Sequence, residues 1–233
     1  MTLPRSILAT LLSANPGTPR LTWYGADGER VELSSKVFDN WVAKAANLLT
    51  EEADLGPGMA VRLDLPAGHW RTAYWAMATW SCGATLRLDD VSDADVLVTS
   101  DPIAAAENTE PLRILVTPAA LARCHPGGTT AGVIDEAAEL ATYGDRFVPG
   151  AEPADGDPAL VSADGSVWLY ATLVGDRPVD GVRRHIDATR GDVAERLRLL
   201  LAVWDARGSV VVTSGGGTAL QNILDAEQVD ETD

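Results

Sequence analysis

Apolar residues recur at helical spacing in several stretches of this chain and alternate with polar ones, or cluster in short runs, in others. Leu3, Ile7, Leu8, Leu11 and Leu12 share one face of a helix that Pro4 opens within its first turn. "RLTWYGADGERVEL" alternates on either side of Ala26-Asp27-Gly28, which predicts two strands joined by a tight turn. Ser34 or Ser35 caps a long helix whose apolar positions run from Val37 and Phe38 to Leu48 and Leu49, and "LGPG" at 55–58 stops it. "MAVRLDLP" reads as a short strand ending at Pro66. A nearly wholly apolar helix from Trp70 to Cys82 follows, and after Gly83 the strand "ATLRL".

Further on, "DVLVTSD" and "LRILVTP" each place a buried strand before a polar turn and a short helical stretch, as in βα units of a parallel sheet. "LVSADGSVWLYATLV" has the pattern strand, Asp-Gly turn, strand. "GDVAERLRLLLAVWDARG" is a helix capped by Thr189 or Asp192 and closed by Gly208, and "SVVVTS" is a strand. "AMATWSCGATLRL" and "LLAVWDARGSVVVTS" both run apolar helix, Trp, Gly, strand, an echo that reads as common helix-to-strand chemistry, with an internal duplication as the alternative. The fold class is therefore α/β, a layered and mostly parallel sheet or sheets with flanking helices. One domain spans 1–233, with a division into lobes 1–142 and 159–233 around a Gly, Pro and Asp-rich linker at 143–158.

Composition narrows the partners. With 233 residues and 46% hydrophobic positions the chain buries a substantial core. Its 34 acids against 18 bases give a net charge of −16, whose field repels nucleic acid and anionic lipid. The remaining candidates are a protein partner or a second copy. Cys82 and Cys124 have neither disulfide-framework nor zinc-ligand spacing, which fits a reducing cytoplasmic setting, and no apolar run approaches a membrane span.

One stretch resembles a phosphate cradle: "VVTSGGGTAL" at 211–220, a strand followed by a glycine-rich turn. Backbone amides in such a turn bind anions, above all at a helix start. Thr213, Ser214, Gly215, Gly216 and Gly217 are the candidate cofactor-binding residues, and the alternative is a plain strand-ending turn. The turn lacks the GxxxxGK[ST] pattern of a P-loop.

From Leu21 to Leu88 the chain resembles the N-terminal part of the adenylate-forming superfamily, which includes acyl-CoA synthetases, luciferases and peptide adenylation domains. The resemblance rests on the hairpin "LTWYGADGERVEL", the helix "NWVAKAANLL", "LGPGMAVRLDLP" and "GATL". More narrowly, the chain is similar to short actinobacterial proteins of uncharacterised function, in "HW" at 69–70 and "GVIDEAAELATYGDRFVP" at 132–149 as well. The superfamily resemblance implies a fold like part of an acyl-CoA synthetase N-terminal domain. It also implies an ATP loop with a Pro-Lys pair, a ribose-binding Asp segment and a late catalytic Lys, none of which is evident here. Thr213, Ser214 and Gly215 match the opening of that loop, but no Pro-Lys follows. The helix and strand before them look more like elements that come after the family's loop.

Other candidate chemistry is sparse. His69, Trp70 and Arg71 lie where a strand end passes into a helix, a common ligand position in α/β sheets, and form a candidate pocket. His69 reads either as a general base or polar anchor, or as a hydrogen-bonded residue at a helix start. Trp70, Trp75, Trp80 and Tyr74 are too apolar a set for a solvent face. His185 follows Arg183 and Arg184 in the most basic patch, which reads either as a carboxylate- or phosphate-binding site or, the reading preferred, as an exposed loop. The acidic runs "DDVSDAD" and "DAEQVDETD" lack a calcium-loop pattern, so no metal site is expected. Cys124 and His125 are sequence neighbours, poorly placed to act as nucleophile and base. With no catalytic residue and no cofactor indicated, the expectation is a non-catalytic, adenylate-forming-enzyme-like protein with a binding or regulatory role. The alternatives are an AMP- or acyl-adenylate-binding protein or enzyme using a crevice near His69 and Ser214, and a structural homo-oligomeric subunit.

Overall fold

The computed structural model describes residues 2–91, 93–215 and 220–232. Among them, two sheets form. The first runs in the order β12 (Glu231–Thr232), β10 (Arg183–Asp187), β11 (Ser209–Thr213), β1 (Pro19–Tyr24), β2 (Arg30–Ser34). The second runs β7 (Val133–Asp135), β6 (Leu112–Leu115), β5 (Val96–Thr99), β3 (Ala60–Asp64), β4 (Thr85–Arg87), β8 (Pro158–Val161), β9 (Val167–Leu169). All neighbours are parallel except the edge strands β2 and β9. The layered, mostly parallel α/β architecture that the hydrophobic pattern predicts is the one observed. Each sheet takes strands from both sides of 143–158: β1 pairs with β11, and β4 with β8.

A layer of helices, α1 (Pro4–Ala14), α2 (Ser35–Ala53), α3 (Trp70–Ser81) and α6 (Val193–Asp205), packs together beside these sheets. The deepest is α3. All twelve of its residues are buried: it packs on β3 and β4, and Trp70, Thr72 and Ala73 line a small cavity together with Leu21, Ile186 and Val212 of the five-stranded sheet. A helix covered on every side is mostly apolar, and its buried polar groups are bonded: Thr79 and Ser81 to carbonyls one turn back, Arg71 to Glu136. Its tryptophans are spent on this packing, so α3 offers no exposed face to a second copy. Trp80 and Trp204 play matching parts: their indoles donate to the carbonyls of Ala159 in β8 (2.8 Å) and Arg20 in β1 (3.0 Å), each tying a helix end to a sheet. Three short helices, α4 (Pro102–Glu107), α5 (Glu136–Glu139) and α7 (Leu220–Ala226), complete the fold.

Local signals place most boundaries. Ser34 caps α2 by accepting a hydrogen bond from the Val37 amide. The same helix stops one residue before "LGPG", at Asp54, whose φ of 52° is left-handed. Two expectations are corrected. No helix follows β6, because Pro118, Pro126 and two adjacent glycines hold 117–132 in turns. The patch Arg183-Arg184-His185 is not an exposed loop but strand β10, enclosed between β11 and β12, with His185 only 3% exposed.

Candidate functional site

The two segments that the sequence singled out, near His69 and near Ser214, come together at the carboxyl edge of the five-stranded sheet. Trp23, near the end of β1, joins them. Its indole N–H donates to Ser214 Oγ (3.0 Å), and its ring lies 4.7 Å from the His69 imidazole. Ser214 continues β11 and donates its own amide to the Tyr24 carbonyl (2.9 Å). Gly215 then turns with φ at +122°, a conformation that side chains rarely adopt. Thr213 is buried, its Oγ1 3.0 Å from His185 Nε2. Gly216 and Gly217 lie outside the described residues.

His69 is the N-cap of α3. Its Nδ1 accepts the Arg71 amide (3.2 Å), so the ring proton is on Nε2. Burial pushes its pKa down to about 4, and the Arg71 charge adds to this against a hydrogen bond to the Pro118 carbonyl. The imidazole is therefore neutral at physiological pH, with Nδ1 already committed as an acceptor. Gly68 brings it there: φ is +73°, and a Cβ at this position would stand 1.9 Å from the Ala188 Cβ just past β10. Only a bare backbone lets the β3–α3 turn press against that sheet edge. Behind it a small cavity of about 40 Å³ is lined mainly by apolar groups, among them Leu21, Ile186 and Val212, with His69 and Arg196 the ionisable exceptions.

Trp70 lines the same cavity, while Arg71 turns the other way. The Arg71 guanidinium, 2% exposed, donates to Glu136 Oε1 (2.7 Å) and to the Ala119 carbonyl (3.2 Å), while lying 4.5 Å from the Trp70 ring and 5.7 Å from Trp41. Tyr74 Oη also donates to Glu136 Oε1. Burial raises the Glu136 pKa, with Arg71 and Tyr74 opposing. Its Oε2 accepts no hydrogen bond among the described residues. A seam joins this network to the junction at Trp23: the loop after β6 gives the Pro118 carbonyl to His69, and its Ala120 amide donates to Glu29 Oε1 of the β1–β2 turn (3.1 Å).

Glu136 was not legible as a site residue, since "DEAAEL" reads as an ordinary helix start with Asp135 as cap. The signal lay in Arg71. A lone cation in a nearly wholly apolar helix requires a buried partner, without saying which one. Cys124 is exposed, and the adjacent His125 ring faces the Gly128 carbonyl at 3.1 Å. Among the described residues no three His, Cys, Asp or Glu side chains are grouped to hold a metal ion, and no helix is long and apolar enough to cross a membrane.

The fold is similar to that of an acyl-CoA synthetase. A crystal structure of the Brucella canis enzyme superposes with a TM-score of 0.72 over 97% of this chain and 46% of its own, at 16% identity. That likeness is one of fold. Among curated proteins, one of the TIGR03089 family from Mycobacterium tuberculosis is 40% identical over 159 residues. The match covers 65% of each chain, so this chain spans about two thirds of that relative's length. No family profile matches.

Proposed function

We propose that this protein is a non-catalytic relative of adenylate-forming enzymes that acts by binding. What supports the reading is how the polar groups at the shared sheet edge are spent. His69 Nδ1 caps a helix, its ring packs on Trp23, and Ser214 Oγ takes the Trp23 indole proton. Each partner holds another rather than facing a reacting atom, and neither a Pro-Lys pair nor another cation follows Ser214 in the turn to neutralise a triphosphate. ATP–pyrophosphate exchange with a panel of carboxylic acids tests this. The expected result is no acid-dependent exchange above the blank. Exchange that Ser214→Asp abolishes overturns it.

A second reading, residual binding of AMP or an acyl-adenylate, is favoured by one observation: the Ser214 hydroxyl still has a proton to give, beside a left-handed glycine and an indole ring. A saturable rise in melting temperature with AMP or a non-hydrolysable adenylate, lost in Ser214→Asp, would support it. No shift at millimolar ligand removes it and leaves the non-catalytic reading intact.

A further inference from the structure

We propose that Arg30, Arg183 and Tyr24 form a phosphate-binding cradle that the protein fills with its own Glu227, so that a phosphate group and the segment 220–232 compete for one site. The cradle stands on the face of the five-stranded sheet that looks away from the Trp23 side chain, because successive side chains of a strand point to opposite faces. It shares no residue with the junction at Trp23 and Ser214 and does not depend on the function proposed for that junction.

Three strands supply the donors. Tyr24 ends β1, Arg30 lies opposite it in β2, and Arg183 opens β10 on the far side of β11. Tyr24 Oη donates to Glu227 Oε1 (2.5 Å), as do Arg30 Nε (3.2 Å) and Nη2 (2.8 Å). Arg183 Nη2 donates to Oε2, and its Nε to the main-chain carbonyl of the same residue (2.7 Å). Behind the cradle Arg183 also donates to Ser209 Oγ and Thr22 Oγ1, both at 3.1 Å, which fixes its guanidinium. The donor count selects the ligand. Five donor contacts from two cations and a phenol meet three oxygens of Glu227, the carboxylate pair and the carbonyl. A free carboxylate offers two oxygens. A phosphate offers three or more on one atom, with a charge approaching that of the two guanidiniums together.

The segment that covers the cradle is lightly held. No residue of α7 is buried, and Ile223, Leu224 and Val229 are half-buried. Beyond Glu227 the anchors are polar: the Arg183 amide donates to Asp230 Oδ2 (2.7 Å), Arg184 pairs with Glu231 (3.1 Å), and the two residues of β12 lie along β10. A segment that buries little apolar surface loses little when it lifts, so an anion that replaces Glu227 releases it. Glu32 also pairs with Arg30 (2.7 Å), but from an exposed position where water and salt weaken its hold. The net charge of −16 opposes an anion at long range, and salt at about 0.1 M screens that field over about 10 Å.

Calorimetric titration of the full chain with inorganic phosphate at constant ionic strength, joined to amide exchange, tests the cradle. Glu227→Ala should bind phosphate saturably and about tenfold or more tighter than the wild type, since filling the cradle from within lowers apparent affinity by the open fraction. Acetate should bind the variant more weakly than phosphate. In the wild type, phosphate should speed amide exchange in 220–232 and leave α3 unchanged, and sodium chloride of equal ionic strength should not. Arg30→Gln, an exposed edge-strand change added to Glu227→Ala, should abolish binding while α3 exchange shows the fold intact. Ser214→Asp should leave phosphate binding as it is, which separates the cradle from an adenylate site at the glycine-rich turn. The proposal is overturned if Glu227→Ala binds no phosphate or binds it no tighter than the wild type, if acetate binds as well, or if binding survives Arg30→Gln.

Discussion

Acid should unfold this protein partly through one residue, His69. In the folded chain its pKa is about 4, against an ordinary 6.5, because burial beside Trp23 and the Arg71 charge both disfavour the imidazolium. The unfolded chain takes up a proton below about pH 6.5 while the folded chain does so only near pH 4. Stability from this group is thus present above about pH 6.5 and is lost as pH falls toward and through 4. At about 1.4 kcal/mol per pKa unit, most of a 2.5-unit difference is expressed by about pH 4.5, a loss of about 2 to 3 kcal/mol. The comparison needed is His69→Asn, which keeps an acceptor for the Arg71 amide at the N-cap but does not titrate. Its lost ring packing is independent of pH and drops out of the difference. Urea unfolding followed by tryptophan fluorescence, from about pH 7.5 to about pH 4.5, gives both curves; groups common to the two chains drop out of the difference. Parallel curves for wild type and variant would refute the reasoning, since they would mean the His69 proton costs the folded state nothing.

Three further outcomes follow from the same geometry. Gly68→Ala should cost about 2 to 4 kcal/mol in urea unfolding, from the left-handed backbone and the collision with Ala188 together. Glu136→Ala, which strands the buried Arg71 charge, should cost about 3 to 5 kcal/mol, whereas the double change Arg71→Met with Glu136→Leu should recover most of the loss; a double variant as unstable as the single one would count against a simple ion-pair account. Glu227, pushed up by burial but held below its usual pKa by Tyr24, Arg30 and Arg183, ties the end of α7 to β1, β2 and β10. Glu227→Ala should speed amide exchange in 220–232 with little change in the α3 core, and uniform acceleration everywhere would contradict a local tether.

By itself, the order of apolar and polar residues determined the elements and the α/β class. The alternation around Ala26-Asp27-Gly28 made a hairpin, Ser34 started α2, and an apolar run at helical length made α3, because these choices depend on interactions a few residues apart. It also marked His69 and Ser214 as positions worth examining. What it left open are the contacts across long separations. That Trp23 lies between those two residues follows from β1 pairing with β11, some 190 residues later, and no local pattern encodes that pairing. The basic run at 183–185 is a strand with half-buried arginines and a buried His185 for the same reason: charge suggests solvent, but the register beside β11 and the acids Glu227 and Glu231 decide otherwise. Tertiary structure alone chose Glu136 as the counter-charge of Arg71, 65 positions away. A desolvated charge demands a partner wherever the chain can supply one, and only the folded chain shows where that is.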